Sequence, residues 1–162
     1  MVERRPPAFR NLLGYQMAGT AEALRRSAAL RMKREHDVSL AQVRALTLIE
    51  HLQPVRLRDV AADAGADKAQ ISRVVTSLVQ RGYVARRALA SDARSAHLEL
   101  TESGRVKVSA LMRSLEARDG ALRAAFEPAE FDQLLGLLAR IRTAADEMAY
   151  QEERLALSTH RH

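Results

Sequence analysis

A basic segment between residues 68 and 94 carries the side chains of this sequence that are best suited to chemistry. It holds six Lys or Arg residues and one acidic residue, in a chain whose formal net charge is +6. Guanidinium and ammonium groups concentrated in one segment favour contacts with a polyanion. An Arg-rich surface that is only solvated fits the charge equally well, so the charge by itself leaves both interpretations open.

Other kinds of chemistry have little support. The sequence contains no Cys, which excludes disulfides, thiolate metal sites and thiol redox sensing. Its five His residues are scattered without the spacing of a metal site. Neither a phosphate-binding glycine loop nor the nucleophile motif of a hydrolase occurs. We therefore expect no catalytic residues, no metal and no cofactor.

The basic segment begins with a helix that a preceding helix must hold in place. Apolar residues at helical spacing predict a short helix at about 56–64 and a second one after Asp67. Gly65 supplies the turn, Asp67 and Gln70 form a capping-box-like pair, and Gly82 ends the second helix. Two short helices around a glycine-containing turn predict a helix-turn-helix. The inward face of the second helix is predicted to consist of Ile71, Val74, Val75 and Leu78.

The segment after Gly82 has the pattern of a β-hairpin. Two extended stretches, at about 83–88 and 96–100, flank a small polar tip at 90–95. A hairpin placed directly after the second helix of a helix-turn-helix would be a wing.

The helical segments at both ends contain more apolar surface than a small winged domain can cover. A helix is predicted over 8–34, and Ser39 caps another that ends before Pro54. Thr101 caps a long helix to about 126, and Pro128 occupies the first turn of the last one. Terminal helices that need partners indicate a two-fold dimer.

Two stretches of this sequence resemble the MarR family. The first is SDARSAHLELTESG, residues 91–104, which is similar to that family's wing signature: an Asp-x-Arg tip, an apolar alternation and Leu-Thr-x-x-Gly. The second is DKAQISRVVTSLVQRGYVARR, residues 67–87, which resembles its recognition helix and first wing strand. The resemblance implies a homodimer whose winged domains each bind half of a palindromic operator. Many members of the family are repressors released by small phenolic or carboxylate ligands.

The resemblance also sets the expected architecture. We predict a mainly α fold with a small β-hairpin wing, a winged helix-turn-helix with N- and C-terminal dimerisation helices. The expected parts are an N-terminal dimerisation helix at 1–37, the winged helix-turn-helix DNA-binding domain at 38–104, C-terminal dimerisation helices at 105–150, and a flexible tail at 151–162.

The sequence departs from the family pattern at several points. Ala93 stands inside the wing tip where relatives often have Arg, which removes one expected phosphate contact. Val43 occupies a position of the second helix that is commonly aromatic. There is no Trp of the kind found in the first helix of urate sensors, and no redox Cys.

The recognition helix presents a polar face opposite its apolar one. Its N-terminal end is the part that enters the major groove in helix-turn-helix proteins. Gln70 and Arg73 are the best candidates for base contacts, because Gln pairs with adenine and Arg with guanine in a bidentate way. Lys68, Ser72 and Thr76 suit phosphates, although Gln70 could instead be fully used as a cap. The predicted face consists of Lys68, Ala69, Gln70, Ser72, Arg73 and Thr76.

For the wing, the resemblance places Arg94 in the minor groove, where narrow A·T tracts concentrate negative potential. Asp92 is expected to hold the Arg94 guanidinium by a charge-assisted hydrogen bond. A surface turn with an Asp–Arg pair is the alternative. Arg86 and Arg87 lie on opposite faces of the first wing strand, so only one of them is expected to reach DNA.

An effector site and the location of the protein are further expectations. In the family the effector cleft lies between the dimer helices and the winged domain. Tyr15, Met17, His36 and Arg44 are conceivable lining residues for a small aromatic or carboxylate effector, although core packing or surface exposure explains each of them at least as well. The charged N-terminus and the absence of a run of about 20 apolar residues predict a cytoplasmic protein with no membrane partner.

Two other classes of function remain open at this point. The chain could be a ligand-binding or protein-interaction module that keeps the fold without contacting DNA, and the basic cluster over 68–94 argues against it. An enzyme would have only a cleft with Tyr15 or His36 in its favour. We expect a sequence-specific transcriptional regulator of double-stranded DNA.

Overall fold

The computed structural model describes the backbone of residues 8–89 and 92–159, and the side chains of residues 9–87 and 97–157. A short 3₁₀ segment, Ala8–Asn11, precedes the first helix. The helices are α1 (Leu13–His36), α2 (Leu40–Leu52), α3 (Leu57–Ala64), α4 (Lys68–Gln80), α5 (Glu102–Arg123) and α6 (Pro128–Thr159). The strands are β1 (Val55–Arg56), β2 (Val84–Leu89) and β3 (Asp92–Leu100).

The predicted helix-turn-helix consists of α3 and α4. Gly65 follows α3 with a φ of 54°, a left-handed conformation that glycine adopts without a steric penalty. Asp67 then caps α4, because its Oδ2 accepts a hydrogen bond from the Gln70 amide at 3.4 Å. A full capping box is found two helices earlier instead, where Ser39 and Gln42 bond each other reciprocally at the start of α2.

The apolar face of α4 is narrower than the sequence predicted. Ile71, Val75 and Leu78 are buried, but Val74 is only half-buried. An i, i+4, i+7 stripe is enough to fix a helix of this length against α2 and α3.

The wing belongs to an antiparallel sheet with the order β1–β3–β2. The hairpin strands β2 and β3 were predicted, whereas β1 was not. Val55 of β1 pairs with Leu98, and Val84 of β2 pairs with Leu100, so that these four side chains bury one face of the sheet. The register between β2 and β3 shifts at Ala88 and Leu89, near the tip.

The motif Leu-Thr-x-x-Gly joins the wing to α5. Thr101 caps α5, because its Oγ1 accepts from the Gly104 amide at 3.0 Å, and it also donates to the carbonyl of Gly82 at 2.6 Å. A Cβ at Gly104 would overlap the carbonyl oxygen of Tyr83. The glycine is therefore required by a close approach of two backbones.

The chain divides into two compact units, Met1–Arg113 and Ser114–His162. The core of the first unit includes the fully buried side chains of Met32, Leu46, Ile49, Leu78 and Leu111. This core therefore includes buried side chains from α1, α2, α4 and the first part of α5.

The second unit contains the end of α5 and all of α6. Phe126 and Phe131 lie 6.1 Å apart between ring centroids, and the Arg123 guanidinium stands 4.2 Å from the centroid of the Phe131 ring. The helix α5 ends at Arg123 rather than near 126, and α6 continues to Thr159 through most of the segment predicted as a tail. Within the described residues, none of the helices has both the length and the apolar character that crossing a membrane requires.

Candidate nucleic-acid interface

The exposed face of α4 is the centre of the candidate interface. Because Ile71, Val75 and Leu78 bury the opposite side of the helix, Lys68, Gln70 and Arg73 point into solvent from its first turns. Ala69 and Thr76 are exposed on the same helix, but Ser72 is half-buried. The structure thus presents five of the six residues that the sequence assigned to this face.

The charges on this face are free to interact with a partner. Within residues 9–87 and 97–157, no carboxylate forms an ion pair with Lys68 or Arg73. The amide groups of the first turn add the positive end of the helix dipole. A helix whose first turns carry cations without an ion-pair partner among the described side chains suits a polyanion.

Two polar contacts hold the C-terminal part of the helix in place. In its last third, the Gln42 Nε2 of α2 donates to the Ser77 Oγ at 3.1 Å. At its end, Arg81 is the C-cap residue and its guanidinium bonds the backbone and side chain of Asp37 at the end of α1. Sequence reasoning missed both contacts, since they join residues 35 and 44 positions apart.

Arg86 and Arg87 have different surroundings, as their alternation on β2 predicted. Arg86 Nη2 donates to the Thr76 Oγ1 of α4 at 3.2 Å, which brings this arginine beside the recognition helix. Arg87 instead pairs with Glu99 at 3.3 Å. The cation that joins the exposed face of α4 is therefore Arg86.

A small cleft lies between α4 and the wing. It has a volume of about 150 Å³ and is lined by Leu57, Ser72, Arg86 and Leu98. The half-buried residue Ser72 thus lines the cleft between α4 and the wing.

The two residues assigned to the wing tip are Asp92 and Arg94. Both residues belong to strand β3. The structure describes their backbone but not their side chains, and the same holds for Ala93.

The structure does not bring the four candidate effector residues together within one chain. Tyr15 and His36 lie near opposite ends of α1, about 30 Å apart at the rise of an α-helix. The exposed Tyr15 ring packs edge-on to Phe9 at 5.2 Å, and Met17 is half-buried. The carbonyl of His36 accepts from Lys107 Nζ at 3.0 Å.

Arg44 lies at the junction of α2, α3 and α4. Its Nη2 donates to the carbonyl of Asp63 at 3.3 Å. It borders an open cleft of about 220 Å³ together with Gln70, and the rest of the lining is apolar: Leu40, Ala41, Ala64, Ala66 and Ile71. Arg44 thus shares a cleft with Gln70 of the exposed α4 face, and neither Tyr15 nor His36 lines that cleft.

Comparisons with known proteins agree with this geometry. The sequence model of the MarR family matches residues 38–96, which include the helix-turn-helix and most of the wing. The chain is also similar to a Bacillus subtilis (strain 168) protein described as an uncharacterized HTH-type transcriptional regulator, YdgJ. The two are 24% identical over 128 residues, which cover 79% of this chain and 76% of the relative.

Two solved structures share the fold. A MarR/EmrR family transcriptional regulator from Acinetobacter sp. ADP1 matches with a TM-score of 0.71 at 23% identity, over 87% of this chain and 99% of that one. The transcriptional repressor CouR, solved bound to a 23-mer DNA duplex, matches with a TM-score of 0.76 at 23% identity, over 86% of this chain and 99% of that one. The predicted winged-helix fold is therefore confirmed, and the match of the MarR family model to residues 38–96 confirms the resemblance to that family.

Proposed function

We propose that this protein binds a palindromic operator as a homodimer and acts as a ligand-responsive repressor. The observation that carries the proposal is the exposed face of α4, where Lys68, Gln70 and Arg73 stand on a helix whose other side is buried in the core. In this role α4 lies in the major groove, Gln70 and Arg73 contact base edges, and Lys68 contacts phosphate.

The wing side of the interface follows from the contact between Thr76 and Arg86. Their hydrogen bond at 3.2 Å joins α4 to β2. In a complex with a DNA duplex that lies along α4, both groups would therefore face the same DNA strand. We assign them to one phosphate, because a preorganised guanidinium loses less side-chain entropy on binding. Arg94 at the tip is assigned to the adjacent minor groove, with Asp92 as its partner.

The homodimer is supported by the apolar surface of the terminal helices. No described side chain of α6 is buried, although Phe131, Leu134, Leu138 and Ile141 form a half-buried stripe at helical spacing. Large apolar side chains are also exposed on α1, among them Leu13 and Leu30. Apolar surface of this extent on long helices is typical of an interface, and a two-fold dimer covers it with a second copy. Two identical winged domains then require a DNA site with two-fold symmetry.

The repressor and effector parts of the proposal rest on similarity. CouR is a transcriptional repressor solved with DNA and shares the fold. An effector that binds between the terminal helices and the winged domain would change the distance between the two α4 helices of a dimer. This would weaken binding to DNA because half-site spacing is fixed by the pitch of the duplex.

Replacing Arg73 by Ala tests the assignment of α4. We expect a loss of about 1–3 kcal/mol in binding to the preferred duplex, together with a relaxed preference at the base pair that Arg73 contacts. Fluorescence anisotropy against the preferred duplex and its single-base variants measures both effects.

The control is Arg140→Ala, which removes the same charge from an exposed position on α6. Arg140 lies on the opposite side of α6 from the apolar stripe, since it is two residues from Leu138. If both variants lose affinity equally and neither changes base preference, α4 is not the element that specifies the sequence.

A further inference from the structure

The end of α1 and the end of α4 are joined by Asp37 and Arg81. Asp37 is the C-cap residue of α1 and has a φ of 53°, and Arg81 is the C-cap residue of α4. Arg81 Nη1 donates to the Asp37 carbonyl at 2.6 Å, and its Nη2 donates to the Asp37 Oδ2 at 3.2 Å. One guanidinium thus holds both the backbone and the side chain of the residue that ends α1.

Further cations surround this contact. Lys33 Nζ donates to the Asp37 Oδ1. Arg81 and Lys107 both stand near the Tyr83 ring, at 5.3 Å and 5.4 Å from its centroid, and Lys107 also donates to the His36 carbonyl. We call these residues, Lys33, Asp37, Arg81, Tyr83 and Lys107, the α1–α4 junction. It includes one carboxylate and three cations, so the negative charge of Asp37 is what holds the junction together.

We propose that Asp37 is a positioning residue for DNA binding, which acts through Arg81 to fix the angle at which α4 is presented. The inference rests on the proposed function, because it concerns how α4 is held and not whether α4 contacts DNA.

The reason is that the side-chain hydrogen bonds that hold α4 to other helices, at Ser77 and at Arg81, lie in its C-terminal part. The first turn of α4 is capped only by its own N-cap residue, Asp67. A helix of 13 residues is about 20 Å long, so a rotation of about 3° at one end moves the other by about 1 Å. A displacement of that size is enough to break a bidentate hydrogen bond to a base.

The same junction connects α4 to α1 and α5. Asp37 ends α1, and Lys107 on α5 reaches the last carbonyl of α1 and the Tyr83 ring at the start of the wing. A change in the direction of α1 is therefore transmitted to the C-terminal end of α4 through side-chain contacts outside the exposed face of that helix.

Replacing Asp37 by Asn separates a positioning role of Asp37 from the effect of its negative charge on the attraction between protein and DNA. Asn tolerates the left-handed conformation and keeps the backbone carbonyl, so only the carboxylate is lost. Removing a negative charge strengthens binding to DNA if charge alone matters, whereas a positioning role predicts weaker binding to the preferred site. We expect a loss of roughly two- to fivefold for that site, the range for a partly exposed ion pair, with affinity for scrambled duplex unchanged or higher.

The matched control is Asp119→Asn. Asp119 is also exposed and pairs with an arginine, Arg123, at 2.6 Å. Competition anisotropy with preferred and scrambled duplexes gives the ratio of the two affinities for each variant. A ratio that falls for Asp37→Asn and not for Asp119→Asn supports the proposal, and equal ratios for the two variants overturn it.

Arg81→Met completes the test, because Met keeps the apolar stem and loses the hydrogen bonds. If Asp37 acts through Arg81, the double variant loses no more than the larger of the single losses. Additive losses overturn the proposal, as does a lower melting temperature that accounts for the whole change in binding. A wild-type protein that binds preferred and scrambled duplexes equally would instead contradict the proposed function, and the inference with it.

Discussion

At the scale of single residues, the candidate interface depends on which polar groups are already bonded inside the protein. Thr76 and Arg86 bond each other, and Arg87 is paired with Glu99. By contrast, neither Lys68 nor Arg73 has an ion-pair partner among the described side chains. We therefore expect the first turns of α4 to contact DNA bases. Thr76 and Arg86, which already bond each other, are expected to contact the DNA backbone.

The titration of Asp37 gives a prediction at this scale. The hydrogen bond from Lys33 and the positive charges of Lys33, Arg81 and Lys107 lower the pKa of the Asp37 carboxyl. A carboxyl whose pKa is lowered by folding adds stability above its unfolded pKa of about 3.9, and this contribution is lost as the pH falls through the lowered value. The difference in urea midpoint between the wild type and Asp37→Asn should thus stay constant from pH 5 to pH 8.

Below about pH 4 the same difference should begin to shrink, because the unfolded state then binds more protons than the folded one. Once the pH is below the lowered pKa of the folded state, the carboxyl is protonated in both states and the difference should reach a constant value that reflects the backbone preference of Asn. Urea unfolding followed by circular dichroism at a series of pH values measures it. A difference that changes between pH 5 and pH 8 would show that Asp37 does not carry the charge that holds the junction.

At the scale of elements, the motif that joins the wing to α5 has a structural explanation. Thr101 bonds both the start of α5 and the carbonyl of Gly82, so the end of the recognition helix, the hairpin and α5 meet at one hydroxyl. Gly104 completes the contact, because the Tyr83 carbonyl occupies the space of a side chain. The residues Leu-Thr-x-x-Gly therefore stabilise the place where the end of α4, the wing and α5 meet.

Replacing Gly104 by Ala should destabilise the protein by about 1–3 kcal/mol or more, since a Cβ at this position meets backbone that must shift. Gly120 is the matched control on the same helix, because a Cβ there meets nothing within 4 Å. Gly120→Ala should be stabilising by about 0.5–1 kcal/mol through helix propensity. Thermal and urea unfolding compare the two, and equal effects would refute the close approach at Tyr83.

The local elements were predictable because their signals are local. Ser39, Gly65, Asp67 and Gly82 each act within a few residues, and each bounds a helix where the sequence placed its end. The strand β1 was missed, since two residues after Pro54 are too few to show a period. The bonds of Gln42 with Ser77 and of Arg81 with Asp37 could not be predicted, because no local pattern indicates which distant side chain an exposed polar group will meet.

At the scale of the whole molecule, the terminal helices carry apolar surface that a single chain does not bury. The stripe on α6 is half-buried at most, and α1 exposes Leu13 and Leu30. A second copy of the chain is the simplest partner for surfaces that lie outside the winged domain. The proposed dimer therefore places two copies of α4 on one duplex, and the symmetry of the DNA site follows from the symmetry of the protein.

The central claim is that α4 and its two-fold copy bind a specific DNA sequence. The most direct test is to let the purified protein select duplexes from a random library. The enriched duplexes should contain an inverted repeat whose half-sites are centred about 10 base pairs apart, or a multiple of that distance, since the two recognition helices must enter the major groove on one side of the duplex. Recovery of a library with no enriched motif, at a salt concentration where the protein still binds DNA, would contradict the claim.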